Sequence, residues 1–223
     1  MTIINKLFRF GPGFCLLLIT GCSPVLTNTN DPAFEHQYGT YNYCGIKAVK
    51  QIARNSCGIA SLTAVLNYWG VDVTEQEIIK GFPKSSKEGY SIVELRDIAK
   101  GKGLEAYVVS LSENPAEQLR EQLFKGRPLV CAMHFPRSLY FAYDIPIYGQ
   151  VYRGLLWSLG PRKDHYIVIF GINSQKLLMM DPSRGFVAIS EKQFESCWKK
   201  KNYATLICGR KNRGLTDRLN PEG

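Results

Sequence analysis

Apolar and polar positions change period about halfway along the chain, and that change sets the expected architecture. Residues 56–69 read SCGIASLTAVLNYW, with Ile59, Leu62, Val65, Leu66 and Trp69 interleaved with Ala60 and Ala64, so the segment is apolar nearly all round a helix. Such a helix belongs inside a protein, and Gly70 supplies its stop. Thr74 with Glu77, and Ser91 with Glu94, have the spacing of a capping box, in which side chain and backbone at a helix start satisfy one another. They predict helices running to about Gly81 and Gly101. Asn114 followed by Pro115 gives a polar N-cap with proline at the first helical position, opening a helix that reaches Gly126.

Strand-like runs then take over, at 106–111, 128–135, 165–172, 176–181, 185–190 and 203–208. Between the last two, Ser190 with Gln193 opens a short helix carrying Phe194 and Trp198. Helices first and strands later predict an α+β fold, with N-terminal helices packed on a mainly antiparallel sheet, rather than a doubly wound one.

The ends of the chain read differently. Lys6 and Arg9 precede a short apolar run that closes on Ile19-Thr20-Gly21-Cys22. That stretch is too short to span a bilayer and reads as a signal peptide over 1–21. Its ending resembles the bacterial lipoprotein processing box, which makes Cys22 the lipidated first residue of the mature protein. Acyl chains contribute about 0.8 kcal/mol per buried methylene, enough in combination to hold the domain on a membrane. In a Gram-negative cell, Ser23 beside the lipid site resembles the outer-membrane sorting pattern, so the expected location is the cell envelope, at the outer membrane facing the periplasm. Residues 22–45 are rich in Asn, Thr, Pro and Gly without helical period and are expected to be a flexible tether, with the folded domain over 46–209 and a disordered tail over 210–223.

Composition changes this picture little. At 223 residues and 45% hydrophobic the chain can bury one ordinary core without staples. The net charge of +9 is spread along the chain rather than gathered into a run, which suits a solvated surface near a membrane and not a nucleic-acid groove. Cysteine spacing fits no zinc site, no His pair shares a helix face, and no glycine-rich phosphate loop is present, so neither a metal nor a cofactor is expected. Of the seven cysteines, Cys44, Cys131, Cys197 and Cys208 are left for pairing or burial, and the sequence does not rank their pairings.

Chemistry gathers at Cys57, which opens the buried helix. A helix N-terminus carries unpaired N–H groups and partial positive charge, and these favour a thiolate. Gly58 removes bulk beside the sulfur, the Cys57 backbone N–H can face a developing oxyanion, and Gln51 can supply a second donor from its side-chain amide. A thiolate nucleophile needs a base oriented by a third group. His165 begins one strand and Asp181 closes the next, one hairpin away, so the two can lie side by side. His36 falls in the tether, and His134 ends a different strand with no acidic residue close to it in sequence.

With Gln51, Cys57 and Gly58, Tyr68-Trp69-Gly70, the strand from Gly126, His165-Tyr166 and Asp181-Pro182, the chain resembles the bacteriocin-processing, double-glycine leader peptidase family of papain-like cysteine peptidases. The likeness runs from about Val49 to Cys208 and implies a papain-like fold with Cys57 as nucleophile, His165 as general base and then acid, Asp181 as orienter and Gln51 as oxyanion donor. Two features depart from the family: Ser56 stands where many members have Asp, and the transporter fused to many members is absent from the sequence. The resemblance therefore carries the triad but not the double-glycine substrate.

The expected activity is cleavage of small or exported polypeptides through an acyl-enzyme. The alternatives are a catalytically silent module that captures peptides for a secretion or assembly partner, and an amidase acting on cell-wall peptides. Residues 135–164 form an aromatic-rich insertion directly before His165, a candidate lid, substrate wall or membrane contact through Tyr140, Phe141, Tyr148 and Trp157.

Overall fold

The computed structural model describes residue 26 and residues 28–84, 89–136 and 162–210. Its elements are α1 (Pro32–Tyr38), β1 (Asn42–Tyr43), α2 (Cys57–Tyr68), α3 (Glu75–Gly81), α4 (Ile92–Gly101), β2 (Leu104–Ser110), α5 (Pro115–Phe124), β3 (Leu129–Pro136), β4 (Arg162–Ile172), β5 (Lys176–Asp181), β6 (Gly185–Ser190), α6 (Glu191–Trp198) and β7 (Ala204–Arg210). The strands form one sheet in the order β2-β7-β3-β4-β5-β6, with β1 added against β4, and every pair is antiparallel. The fold is the expected α+β one.

Both faces of the sheet are covered. On one, Val130, Val168, Phe170, Met180 and Leu206 pack under α2 and α4 with Ile59, Leu62, Leu66 and Leu95. On the other, Leu129, Cys131, Met133, Ile167 and Ile169 pack under α5 and α6 with Leu119, Phe194 and Trp198. Alternation along β4 holds until the register shifts between Ile169 and Gly171, a bulge that puts Ile172 on the same side as Ile169. Gly171 sits where β1 crosses: a Cβ there would lie 2.7 Å from Tyr43 Cβ.

Local start signals explain the helices on the α2 side. Thr74 and Ser91 each accept from the backbone N–H three residues on, while Glu77 and Glu94 reach back, completing both capping boxes. Gly70 takes a left-handed φ of 82° after α2, as a helix-stopping glycine does. Asn114 departs from expectation: it precedes Pro115 but makes no side-chain cap, because its own backbone is left-handed, with φ 50°.

The reading of 22–45 as a tether needs correcting from Asn28 onward. Asn28 bridges Lys47, and Asp31 caps α1 by accepting from Ala33 N–H at 2.8 Å. Phe34 is 0% exposed and stacks among Tyr38, Tyr43, Phe170 and Phe186, while β1 pairs Asn42 with Ile172. The physical reason is burial: these aromatic rings remove a large apolar area from water, which overrides a loop-like composition. The fold therefore begins well before Ile46. Cys22 and the signal-like residues lie outside the described residues, as do 137–161 of the insertion, with Tyr140, Phe141, Tyr148 and Trp157, and 211–223 of the tail. The ends of the insertion are strand, with Phe135 paired to Lys163 and Pro136 to Arg162.

No disulfide joins Cys44, Cys131, Cys197 and Cys208, all of which are buried.

Candidate active site

Cys57 is the first residue of α2, and its helix is pressed tightly to the sheet at that point. A Cβ on Gly58 would come within 3.1 Å of both Leu95 Cδ1 and Tyr166 Cδ2, so glycine permits the close approach of α2 to β4 and α4. β4 outruns β5: their pairing begins only at Val168 with Met180. Near the end of β5, the Tyr166 backbone N–H acts on the Cys57 sulfur.

His165, adjacent on β4, is 2% exposed and close enough to Cys57 for each to shift the other's protonation. Its Nε2 lies 2.9 Å from Asp181 Oδ1, in an interaction whose two side chains are wholly buried. With Nε2 committed to the carboxylate, Nδ1 is the ring nitrogen left to face the sulfur. Asp181 closes β5, and its Oδ1 also accepts the Ser183 N–H at 2.8 Å, which fixes the carboxylate on the turn that follows. The Phe135 ring lies 6.3 Å from the imidazole, centroid to centroid. The three side chains singled out from sequence thus meet in space.

Electrostatics separates Cys57 from the other cysteines. Burial pushes its thiol up, but the hydrogen bond and charge of His165, the Tyr166 N–H and the positive Lys163 outweigh burial and bring it below the ordinary thiol value. Burial likewise works against charge on His165, yet Asp181 and Cys57 together raise the imidazole to about 9. Both shifts favour a thiolate paired with an imidazolium near neutral pH. Cys44 and Cys208 go the other way, raised by burial to about 11 and about 12, and Cys131 is raised as well.

Gln51 is fixed beside this group. Its backbone N–H donates to Pro182 O at 3.0 Å, and Ser183 Oγ donates to its Oε1 at 3.1 Å. Nε2 gives one N–H to Ala53 O at 2.8 Å, and an amide nitrogen has a second. Ser183, Lys163 and the part played by the Tyr166 N–H were not anticipated; Ser183 could have been flagged by its place in the turn directly after Asp181-Pro182. His134 does have an acidic partner: its Nδ1 lies 2.7 Å from Asp164 Oδ1, because the β3–β4 register sets them opposite each other, and Lys201 joins the same carboxylate at 3.0 Å.

The model of the Peptidase_C39 like family matches residues 43–206, spanning every residue of this arrangement. The chain belongs to that family. The solved structures agree in fold. A double glycine motif protease from an AMS/PCAT transporter, in complex with the leader peptide, is 19% identical with a TM-score of 0.51, over 76% of this chain and 94% of that one. The peptidase domain of Streptococcus ComA, a bi-functional ABC transporter of a quorum sensing pathway, is 19% identical with a TM-score of 0.50, over 74% and 98%. A C39-like protein from Bacillus anthracis is 17% identical with a TM-score of 0.50, over 74% and 94%. No curated protein shows significant similarity to the chain. The fold is that of the papain-like C39 peptidases, and the expected departure at Ser56 stands: its hydroxyl oxygen accepts from Ala53 N–H at 3.0 Å, bracing the turn before Cys57.

Proposed function

We propose that the protein is a cysteine peptidase that cleaves small or exported polypeptides through an acyl-enzyme on Cys57. The observation that carries this reading is the buried Cys57–His165–Asp181 chain, with its lowered thiol and raised imidazole. The Cys57 thiolate attacks the carbonyl carbon of the scissile peptide, and His165 gives its proton to the departing amine. His165 then takes a proton from water, which releases the acyl group from the sulfur. Asp181 holds the imidazole through Nε2 throughout, and the Cys57 backbone N–H with the Gln51 amide receives the oxyanion. The chemistry needs no metal or cofactor. The likeness to a protease bound to a leader peptide supports a peptide substrate over a cell-wall amide.

The domain works from a lipid anchor on Cys22, at the outer membrane facing the periplasm, in this reading. A labelled fatty acid should enter the wild-type chain and be absent from Cys22→Ala, which should leave the membrane fraction.

The test of the enzyme is alkylation of the full chain by low concentrations of iodoacetamide near neutral pH. Cys57 should react far faster than the other thiols, and His165→Ala should remove the advantage. A Cys57 that reacts no faster than a buried thiol would leave a peptide-capturing module as the better account.

A further inference from the structure

The turn that precedes Cys57 is held from behind by a carboxylate belonging to another element. Glu75, the first residue of α3, is 4% exposed. Its two oxygens lie 3.3 and 3.2 Å from the Ile52 nitrogen, whose N–H donates to them, and the Ser56 hydroxyl, which gives its proton to Ala53 O at 2.9 Å, lies close enough to the same carboxylate to act on its charge. Burial keeps the Glu75 carboxyl above its ordinary range, against the lowering effect of Ser56 and the Ile52 N–H. An apolar side chain would fill this space without desolvating a charge, so what distinguishes Glu75 is what it ties together.

These two residues bracket the turn. Ile52 directly follows Gln51, and Ser56 directly precedes Cys57. Inside the bracket, Ser56 Oγ accepts from Ala53 N–H at 3.0 Å, and Gln51 Nε2 donates to Ala53 O at 2.8 Å. One buried carboxylate therefore holds the backbone beside the amide donor, and through Ala53 that backbone is clasped to the residue beside the sulfur.

We propose that Glu75 is a positioning residue for acyl transfer: by binding the Ile52 N–H behind the turn that Ser56 closes on Ala53, it sets the distance between the Gln51 amide and the Cys57 backbone N–H, so that both donors meet one oxyanion. The inference rests on the peptidase reading above. It does not place Glu75 in contact with substrate, and it assigns to α3 a part in catalysis that the triad alone does not require.

Two reagents separate this role from support of the thiolate. Iodoacetamide reacts by displacement at a saturated carbon: the sulfur bonds to carbon, iodide leaves with the bonding pair, and no oxyanion forms. With p-nitrophenyl acetate, the thiolate bonds to the carbonyl carbon and the π pair moves to oxygen. The pair then returns and p-nitrophenolate departs, leaving the acetyl thioester. Only the second reaction draws on the two donors.

The experiment measures both rates on the full chain, with Cys57→Ala as the blank. Glu75→Ala should slow the nitrophenolate burst by about tenfold or more, since loss of an oxyanion donor costs about a hundredfold or more. The iodoacetamide rate should stay within about twofold of wild type. Glu75→Gln, which keeps an acceptor oxygen for the Ile52 N–H, should recover most of the burst rate. Ser56→Ala, which removes one end of the bracket, should show the same selective loss and serves where Glu75→Ala does not fold. Equal loss of both rates, or a burst at wild-type speed in both variants, overturns the positioning role alone. Slow alkylation of Cys57 in the wild type overturns the peptidase reading and this inference with it.

Discussion

His165 donates through Nε2 to Asp181 across 2.9 Å in a place where neither side chain touches solvent. Removing the carboxylate there takes away the acceptor that holds the imidazole from within the protein. Asp181→Ala should leave His165 without its orienting partner and lower turnover of a peptide substrate by about a hundredfold or more. Asp181→Asn, whose amide oxygen can still accept from Nε2, should retain clearly more activity than the alanine variant. Steady-state kinetics on both variants, with circular dichroism to confirm folding, checks the order.

The pH profile follows from two opposite shifts. Acyl transfer needs Cys57 without its proton and His165 with its own. The thiol loses its proton below the ordinary value of 9.0, which sets a rising limb on the acid side of that value. The imidazole keeps its proton up to about 9, which sets a falling limb there. Peptide turnover should therefore be bell-shaped, whereas alkylation, which needs only the thiolate, should rise and then level. In His165→Ala the influence left on the thiol is chiefly burial, so the alkylation limb should move to higher pH.

Gly58→Ala should disturb activity more than its chemistry suggests. In an ordinary helix the change would favour the helix by about 1 kcal/mol. Here the new methyl group meets Leu95 and Tyr166 at 3.1 Å, and overpacking of this kind costs about 1 to 3 kcal/mol. Because Tyr166 also supplies the N–H that faces the sulfur, the alkylation rate of Cys57 should fall along with the melting temperature.

How much of this was legible beforehand depended on the distance over which each signal acts. The capping boxes at Thr74 and Ser91 formed as read, because they close within one turn. Asp31-Pro32 carries the same kind of start signal as Asn114-Pro115, with Phe34 and Tyr38 at helical spacing. In α1 the cap forms, whereas at Asn114 the left-handed backbone prevents it. A helix as short as Pro32–Tyr38 shows too little period to outweigh its loop-like neighbours. Cys57, His165 and Asp181 could be brought together from sequence because a hairpin joins the strands of the last two. His134 and Asp164 could not, since only the β3–β4 register makes them neighbours. Glu75 was hidden for a related reason: its role lies in a loop from a different part of the chain, while its sequence context shows only a helix start.

Phe34→Ala tests the corrected boundary. If α1 is integral to the fold, losing the ring should cost about 3 to 5 kcal/mol in denaturant unfolding. A loss of only a few tenths would mark the segment as a loosely attached arm.

The early start of the fold shortens the leash. Leu26 already packs against the core and Asn28 bridges Lys47, so a lipid on Cys22 would be joined to the domain by no more than the residues from Cys22 to Leu26. At full extension that span could reach about 14 Å, at about 3.3 to 3.6 Å per residue. A lipid on Cys22 would thus hold the domain against the bilayer, where it would meet chains emerging from the membrane before those diffusing at a distance.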